Sequence, residues 1–293
     1  MYLSMMVFEE CLAEYHPRMI GHSDLIKIKF MGVQEAMEGQ EYLPDHMLLE
    51  HVEYFVSHPV PAAWGCLCIG EPPEDLFKNN ICLIFPENTD RTSLYHDIQK
   101  IFFLYNSWEM EIRKAMQRNA TLEEMCNLCI PIFEKPIFIH DRNNELLAIA
   151  NEMAGQFSWQ YDETFDKYYL PLEILNTFKS SDEYHKTLHT YGAHVFSAKA
   201  TGYRTLYVNL RIEWVYVGRV CLDEIGTPIR KRDYELLEFF ADNIALAMQQ
   251  GMLLVSDVSN VLSILFKEMI DGKSYTKNQL AKPFSYYKWH IDD

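Results

Sequence analysis

Two histidines and two cysteines lie at spacings that could hold a metal ion. His185 and His189 are four positions apart, so on a helix their imidazoles share a face, and Glu183 could add a carboxylate. Cys126 and Cys129 form a C-x-x-C pair. A structural zinc site needs two further ligands, usually a second close pair. We therefore expect two exposed histidines and two buried cysteines that pack as small apolar side chains, with no metal or other cofactor.

The common catalytic motifs are absent from the sequence. There is no G-x-S-x-G, no H-E-x-x-H and no G-x-G-x-x-G. Gly272-Lys273-Ser274 resembles the end of a phosphate-binding loop, but Lys267 occupies the position where such a loop needs its first glycine. The sequence therefore predicts a protein that is not an enzyme. A metal-dependent enzyme that uses His185 and His189 is the least favoured alternative.

Aromatic side chains are concentrated in and around residues 151–190, which we expect to cover one face of a sheet. Small-molecule pockets combine apolar walls with a few convergent polar groups. A histidine inside such a pocket could respond to the charge of a ligand. The alternative to a ligand pocket is that these aromatic side chains belong to the ordinary core and surface of the protein. The candidate ligand-binding residues are Trp159, Tyr161, Tyr169, His140, His194, Tyr203, Arg204 and Trp214.

The charge of the chain argues against direct contact with nucleic acid. Its 42 acidic and 26 basic residues give a formal net charge of -16, whereas nucleic-acid binding needs a clustered basic surface. The short run at 230–232 is typical of a solvated helix start. No apolar run approaches the ~18 residues of a membrane span. Seven cysteines, spread over a long chain, favour a reducing cytoplasm.

The first 90 residues predict a small α/β domain. The run at 65–69 is apolar and bounded by glycines, and a second apolar run at 81–85 ends at Pro86. Both patterns are typical of buried strands. A length of 293 residues leaves room for about one further domain. The elements expected in this part are a short helix at 5–15 and strands at 25–33, 49–56, 65–69 and 81–85.

Two long helices carry apolar residues at the 3.5-residue spacing of paired helices. The first spans 93–118 with Ser93 as its N-cap, and the second runs from about Arg230 to Ile270, with Gly251 as a point where it can break. The partner helix can lie in the same chain or in a second copy. We expect a homodimer, and the residues assigned to its helices are Leu94, Ile98, Ile101, Tyr105, Trp108, Ile112, Leu237, Ile244 and Met248.

The order of elements between these helices predicts a GAF- or PAS-like sensor domain. Thr121 and Glu124 have the spacing of a capping box, and Asp141-Arg142-Asn143-Asn144 is typical of a hairpin turn. We therefore expect an α+β protein whose antiparallel sheet is flanked by long helices. The expected elements are a helix at 121–130, strands at 137–140 and 146–150, helical pieces within 151–190, and strands at 193–199, 205–210 and 214–222.

Several segments resemble the PucR and CdaR type of bacterial transcription regulator, named for purine catabolism and sugar-diacid regulation. The helix at 94–109 resembles the family pattern I-q-x-I-F-x-x-Y-N-x-W-E, and the hairpin at 136–150 resembles its GAF-like sensor. The segments at 233–238 and 265–272 resemble its exit helix and the approach to the next domain. The resemblance implies that DNA is bound through a C-terminal helix-turn-helix domain that this chain lacks. It carries over no ligand-binding residues, so the effector stays open.

Together these patterns predict the cytoplasmic, non-catalytic sensory region of a transcription regulator. The expected domains are a small α/β domain at 1–90, a sensor with its dimerisation helices at 91–250, and a connector helix with the start of another domain at 251–293. The expected partners are a second copy of the chain and an unidentified small-molecule effector, but no membrane. The alternative is a degenerate sensor that acts only in dimerisation or protein interaction. A likeness of fold order does not by itself establish function.

Overall fold

The structure is a computed structural model that describes residues 1–21, 23–36, 41–212, 214–249, 261–276 and 280. The chain divides into two compact units. The first is Met1–Glu111 with Arg230–Arg232, and the second is Ile112–Ile229 with Asp233–Asp293. The predicted α+β class is confirmed. Within the described part of the chain, no helix combines the length and the hydropathy that crossing a membrane requires.

The first unit is built around a five-stranded sheet in the order β2 (Arg18–Gly21), β7 (Ile81–Phe85), β6 (Gly65–Ile69), β5 (His46–His51) and β4 (Gly32–Glu35). Strands β4 to β7 are parallel, and β2 pairs antiparallel with β7. Its elements are β1 Leu3–Ser4, α1 Met5–Cys11, β2 Arg18–Gly21, β3 Lys29–Phe30, β4 Gly32–Glu35, β5 His46–His51, α2 Val52–Ser57, β6 Gly65–Ile69, β7 Ile81–Phe85 and most of α3 Arg91–Gln117, with 3-10 turns at Ala13–Tyr15 and Ser23–Lys27.

The sequence predicted two strands of this sheet correctly and misplaced the two that were expected before them in the chain. The strands expected at 65–69 and 81–85 are confirmed. The strand expected at 25–33 is wrong because a 3-10 turn fills its first half, and the strand expected at 49–56 turns into α2 after His51. Ser93 is not the N-cap of α3. Its backbone N–H donates to Oδ2 of Asp90 at 2.8 Å, so Asp90 caps the helix.

The second unit contains an antiparallel sheet in the order β12 (Ala193–Phe196), β13 (Thr205–Ile212), β14 (Val215–Asp223), β8 (Ile137–Asp141) and β9 (Leu146–Ala150). The predicted order of helices and strands is confirmed with two exceptions. A small hairpin formed by β10 (Gln160–Asp162) and β11 (Lys167–Tyr169) lies where only helical pieces were expected. The helix expected at 121–130 is split into α4 (Leu122–Asn127) and α5 (Ile130–Phe133). Besides the end of α3, the elements are α4 Leu122–Asn127, α5 Ile130–Phe133, β8 Ile137–Asp141, β9 Leu146–Ala150, β10 Gln160–Asp162, β11 Lys167–Tyr169, α6 Leu172–Lys179, α7 Asp182–Thr187, β12 Ala193–Phe196, β13 Thr205–Ile212, β14 Val215–Asp223, most of α8 Lys231–Gln249, and α9 Val261–Ile270.

The two faces of this second sheet differ in chemistry. Side chains alternate between faces along a strand, and the register of β8, β13 and β14 groups them consistently. We name the faces by their residues. The aliphatic face consists of Ile137, Ile139, Leu206, Val208, Leu210, Val220 and Leu222. The polar face consists of Phe138, His140, Thr205, Tyr207, Asn209, Arg219, Cys221 and Asp223.

The segment 151–190, which we call the lid, packs over the polar face. Phe157 and Trp159 contact Phe138, with ring centroids 6.3 and 5.3 Å away. Helix α6 contributes Ile174 and Phe178 to the same apolar cluster. An ion pair between Lys167 and Glu145, at 2.7 Å, ties β11 to the hairpin below it.

The long helices bury their predicted seams within the single chain. All nine residues assigned to dimerisation are at most 9% exposed. The capping box is confirmed, since the backbone N–H of Glu124 donates to Thr121 Oγ1 at 3.1 Å and that of Thr121 donates to Glu124 Oε2 at 3.0 Å. Gly251, the middle of the predicted closing helix, and most of the predicted segment 251–293 lie outside the described residues.

Candidate functional site

A small cavity lies between the polar face and the lid. Its volume is about 40 Å³, far below the ~300–1,000 Å³ of a pocket that holds a drug-sized ligand. Most of its wall is apolar and aromatic, and one residue in the described lining carries a permanent charge. The lining residues are Phe138, His140, Phe157, Leu170, Phe178, Tyr184, Phe196, Thr201, Thr205, Tyr207, Arg219 and Cys221.

Arg219 is the charged residue, and it is only 4% exposed. It lies in β14 between His140 of β8 and Asn209 of β13. Its Nε donates to Asn209 Oδ1 and its Nη2 donates to Thr187 Oγ1, both at 2.9 Å. The guanidinium also lies 4.4 Å from the ring centroid of Tyr207. These contacts fix the plane of the guanidinium, because each of them restricts its rotation.

A second layer of hydrogen bonds holds the partners of Arg219 in place. Asn209 Nδ2 donates to the carbonyl oxygens of Thr187 and Thr190, at 2.7 and 3.0 Å. The ring of Tyr184 lies 5.5 Å from the guanidinium and stacks on Phe178 at 4.4 Å. The lid and the sheet therefore position this cation together.

His140 is held neutral beside this cation. Its Nδ1 is 2.8 Å from the carbonyl oxygen of Asp141, so Nδ1 carries the proton and donates it to that oxygen. Burial, with a further contribution from the charge of Arg219, lowers the pKa of His140 to about 3. A neutral imidazole with a protonated Nδ1 leaves Nε2 as a hydrogen-bond acceptor.

Asp223 is a buried carboxyl group on the same face. Gln156 Nε2 donates to its Oδ2 at 2.9 Å, and Thr205 Oγ1 donates to its Oδ1 at 2.7 Å. Burial raises the pKa of Asp223 to about 6, although these hydrogen bonds oppose the shift. The contact with Gln156 ties the start of the lid to the end of β14.

The predicted site residues are only partly brought together. His140 lines the cavity, Trp159 packs against its wall residue Phe138, and Tyr203 accepts a hydrogen bond from the backbone of Phe157 at 3.5 Å. The other five lie elsewhere. Arg204 pairs with Glu224, His194 is exposed, Trp214 packs on Tyr275, and Tyr161 and Tyr169 lie on the β10–β11 hairpin.

Sequence reasoning missed the central residue of the cavity. Arg219 lies in the otherwise apolar run Val215–Leu222, and a charged residue in a buried strand was the available signal. Tyr207 and Tyr184 were missed because their proximity to Arg219 depends on strand pairing and on how the lid packs.

The histidine pair is not arranged as a metal site. Helix α7 ends at Thr187, so His189 lies beyond it, and Glu183 accepts hydrogen bonds from Ser197 instead. His185 and His189 are exposed, as expected. No cluster of three or more metal-binding side chains occurs among the residues that the structure describes. Cys126 and Cys129 are buried, as expected for core packing.

A larger cleft of about 580 Å³ lies in the first unit. Its polar groups contact one another, since Tyr15 donates to Asp97 at 2.6 Å and Lys100 pairs with the same carboxylate at 2.7 Å. Glu14, His96 and Lys100 on its walls are exposed. We therefore regard the smaller cavity of the second unit, which is more enclosed than this cleft, as the candidate site.

Comparison with known proteins finds similarity only at the level of solved structures. No family model matches the chain, and no curated protein matches it. The cofactor-binding GAF domain of the nutrient sensor CodY from Clostridium difficile is similar at 12% identity and a TM-score of 0.35, covering 48% of this chain and 96% of that one. The phycoerythrobilin-bound GAF domain of a cyanobacterial phytochrome is similar at 9% identity and a TM-score of 0.37, covering 50% and 94%. A phycocyanobilin-bound GAF domain from a cyanobacterial phytochrome is similar at 10% identity and a TM-score of 0.36, covering 53% of this chain and 97% of that one.

Proposed function

We propose that this chain is the small-molecule sensing region of a bacterial transcription regulator. One observation carries the proposal: a partly enclosed, aromatic-walled cavity contains a buried guanidinium at the interface between a sheet and its lid. A ligand bound there contacts both parts at once. Its binding energy therefore changes how firmly the lid is held, and that change can be passed to the rest of the protein.

The chemistry of the cavity favours binding over catalysis. Burial raises the pKa of the Cys221 thiol, so the thiol stays protonated and is a weak nucleophile. His140 uses Nδ1 to hold a backbone carbonyl, and its lowered pKa makes it a poor base at neutral pH. Polar groups with these properties can hold a ligand in one orientation but supply no activated nucleophile. We therefore propose a non-catalytic role.

The role in transcription rests on the resemblance to PucR and CdaR regulators. In that arrangement the sensor lies before a helix-turn-helix domain, through which the regulator binds DNA. The acidic character of this chain, with a net charge of -16, agrees with a region that does not itself contact DNA. No disulfide joins the seven cysteines, all of which lie in the described part of the chain, and this supports a cytoplasmic location.

We propose a homodimer, but one that uses a different surface from the predicted seams. The seam residues are buried within one chain and are unavailable to a second copy in this conformation. Helix α3 also carries exposed apolar side chains at Phe103, Leu104 and Met110. A dimer formed through α3 therefore depends on these residues. Light scattering of a Phe103→Glu variant tests this: the mass should fall from that of a dimer to that of a monomer.

A protein-interaction module is the second candidate function. The cavity is nearly filled by lid side chains, which is the arrangement expected if no effector enters. The lid also exposes Tyr161, Phe165, Tyr168 and Leu172 to solvent. Exposed apolar groups of this kind are typical of interaction surfaces when they are contiguous.

A thermal-shift screen of purines, sugar acids, amino acids and short carboxylic acids distinguishes the two. A ligand at 100 times its Kd adds about 2.7 kcal/mol to the free energy of unfolding. For a unit of this size, that corresponds to a rise in Tm of about 5–10 °C. The sensor proposal predicts such a shift for at least one compound class.

Cavity-filling variants locate the effect. Cys221→Val adds a methyl group to the cavity wall and should abolish the shift, whereas the same exchange at the buried Cys126, which does not line the cavity, should preserve it. If no compound class stabilises the wild-type protein, the interaction module becomes the better account.

A further inference from the structure

We infer that the cavity binds a small organic monocarboxylate whose carboxylate pairs with the guanidinium of Arg219. This inference rests on the proposed sensing function and deepens it by naming the ligand class. It starts from an imbalance of charge. Arg219 is 96% buried, yet both of its hydrogen-bond acceptors and all of its aromatic neighbours are neutral.

Two other buried or half-buried cations among the described residues have an acidic partner. Lys135 and Asp233 are both fully buried, and Nζ lies 2.9 Å from Oδ2. Arg91 pairs with Glu50 at 2.6 Å. For Arg219, no carboxylate in the described part of the chain forms an ion pair with the guanidinium. A buried charge is costly unless it is paired, so an unpaired arginine facing a cavity points to an anion from outside.

The donor geometry of Arg219 suits a carboxylate. The guanidinium has five N–H groups, and the structure uses Nε and Nη2 to fix its plane against Asn209 and Thr187. Nη1 makes no hydrogen bond within the described residues. It can therefore donate to a carboxylate oxygen, and charge-assisted bonds of this type are stronger than neutral ones. Nε2 of His140 offers an acceptor on the same side for a donor group of the ligand.

A single negative charge fits the cavity better than two. Among the described lining residues, Arg219 alone carries a formal charge at neutral pH. A phosphate dianion or a dicarboxylate would leave one negative charge buried without a partner. Five residues of the remaining wall are phenylalanine or leucine, and this apolar part of the wall suits a short hydrocarbon group: Phe138, Phe157, Leu170, Phe178 and Phe196. The ligand is therefore a carboxylate with an apolar remainder.

The volume limits the size of that remainder. The cavity has a volume of about 40 Å³, whereas a cavity of roughly 10–15 Å³ is enough for one water molecule. A ligand of more than a few heavy atoms must displace lid side chains such as Phe157 or Tyr184. A short-chain acid is the class that fits with the smallest displacement, and its entry loosens the contact between the lid and the polar face.

The test measures binding of butyrate, isobutyrate and isovalerate by calorimetry and thermal shift. Their primary amides have nearly the same shape without the charge, and phosphate and succinate serve as dianionic probes. We expect dose-dependent stabilisation by the monocarboxylates, and affinities for the amides that are about 30-fold weaker or worse, because the buried charge pair is lost.

Three variants assign the effect to Arg219. Arg219→Met should weaken monocarboxylate binding about 30-fold or more, and Arg219→Lys should recover part of it because it keeps the charge but not the planar fork. Arg211→Met is the matched control. Arg211 is a half-buried arginine of the neighbouring strand that donates to the carbonyl oxygen of Leu188 and does not line the cavity, so its variant should bind as the wild type does.

The stability of Arg219→Met without ligand keeps the test decisive. If Arg219 exists to hold an anion, its removal should leave the ligand-free Tm unchanged or higher, because an unpaired buried charge is removed. A variant that unfolds, with no monocarboxylate stabilising the wild type, would overturn the inference and assign Arg219 a structural role.

The inference and the proposed function fail in different ways. If a neutral or dianionic compound stabilises the protein and Cys221→Val abolishes that effect, the sensing function stands and the monocarboxylate is wrong. If amides and acids bind equally, or if Arg211→Met weakens binding as much as Arg219→Met, the role of Arg219 is wrong. If no class of compound binds, both proposals fall.

Discussion

The two faces of the second sheet are formed by the same strands but follow opposite rules. On the aliphatic face, Val220 and Leu222 of β14 are fully buried among other branched side chains. On the polar face, the alternate positions of the same strand are Arg219, Cys221 and Asp223, equally buried. Both faces are covered, so exposure to solvent does not explain the difference.

The comparison separates positions that stabilise the fold from positions that hold a function. Burying aliphatic side chains contributes about 25 cal/mol per Å² of apolar surface, and the aliphatic face uses this fully. The polar face gives up part of that stability to bury a guanidinium, an imidazole and a carboxyl group. Natural proteins break local packing rules mainly at functional sites, so the polar face is where a ligand is expected.

Placing a charge on the aliphatic face should have the largest effect on the free energy of unfolding. Val220→Lys places an ammonium group among Ile139, Val208 and other aliphatic side chains without a partner. We expect a loss of more than about 5 kcal/mol, enough to prevent folding. Far-UV circular dichroism and urea denaturation of purified protein measure it. A folded Val220→Lys protein, as stable as the wild type, would mean that the two faces do not differ as described.

The titratable groups of the polar face should give opposite pH dependences. The folded-state pKa of His140, about 3, lies below its ordinary value of 6.5. As pH falls from 6.5 towards 3, the unfolded chain takes up a proton that the folded protein does not, and up to about 5 kcal/mol of stability is lost. The folded-state pKa of Asp223, about 6, lies above its ordinary value of 3.8. Acidification from pH 6 to 4 therefore restores about 3 kcal/mol.

Two variants separate these opposing contributions. In His140→Gln the glutamine can still donate to the carbonyl of Asp141. The stability of this variant should rise as the pH falls from 6.5 to 4, because only the contribution of Asp223 remains. Asp223→Asn should become more acid-labile than the wild type over the same range. Urea denaturation at pH 7, 5.5 and 4 measures both. Parallel pH profiles for the two variants would show that these groups do not titrate as their burial requires.

A large-to-small exchange on the aliphatic face should lower the free energy of unfolding by an amount between those of Val220→Lys and Tyr207→Phe. Leu222→Ala removes buried methyl groups and leaves a cavity, and we expect a loss of about 3 kcal/mol. Ligand binding per folded molecule should be unchanged, because Leu222 points away from the polar face. Chemical denaturation with and without isobutyrate tests both statements, and a loss of binding without a loss of stability would contradict them.

The smallest effect is expected at a hydroxyl group of the polar face. Tyr207→Phe keeps the ring that contacts Arg219 and removes only the hydroxyl, which lies 3.2 Å from Thr190 Oγ1. We expect a loss of about 1 kcal/mol or less. The denaturation midpoint measures it. A loss as large as that of Leu222→Ala would indicate that the polar face is part of the structural core.

The sequence predicted elements that depend on local patterns better than contacts that depend on packing. The capping box of Thr121 and Glu124 and the β8–β9 hairpin were found because their signals lie within a few neighbouring residues. The β10–β11 hairpin was missed because its short, polar strands show no alternation. The surroundings of Arg219 come from β8, β13 and the lid, which are far apart in sequence. A search for charged residues inside apolar strands would have found Arg219, but not its neutral partners.

Methyl NMR of isoleucine-labelled protein during an isobutyrate titration shows which face of the second sheet receives the ligand. Ile149 and Ile174 pack with the polar face and the lid, whereas Ile137 and Ile139 lie on the aliphatic face. We expect saturable shifts for the methyl groups of Ile149 and Ile174 and little change for those of Ile137 and Ile139. Shifts confined to Ile137 and Ile139, or no saturable shift at any isoleucine, would contradict the assignment of the polar face as a carboxylate-binding site.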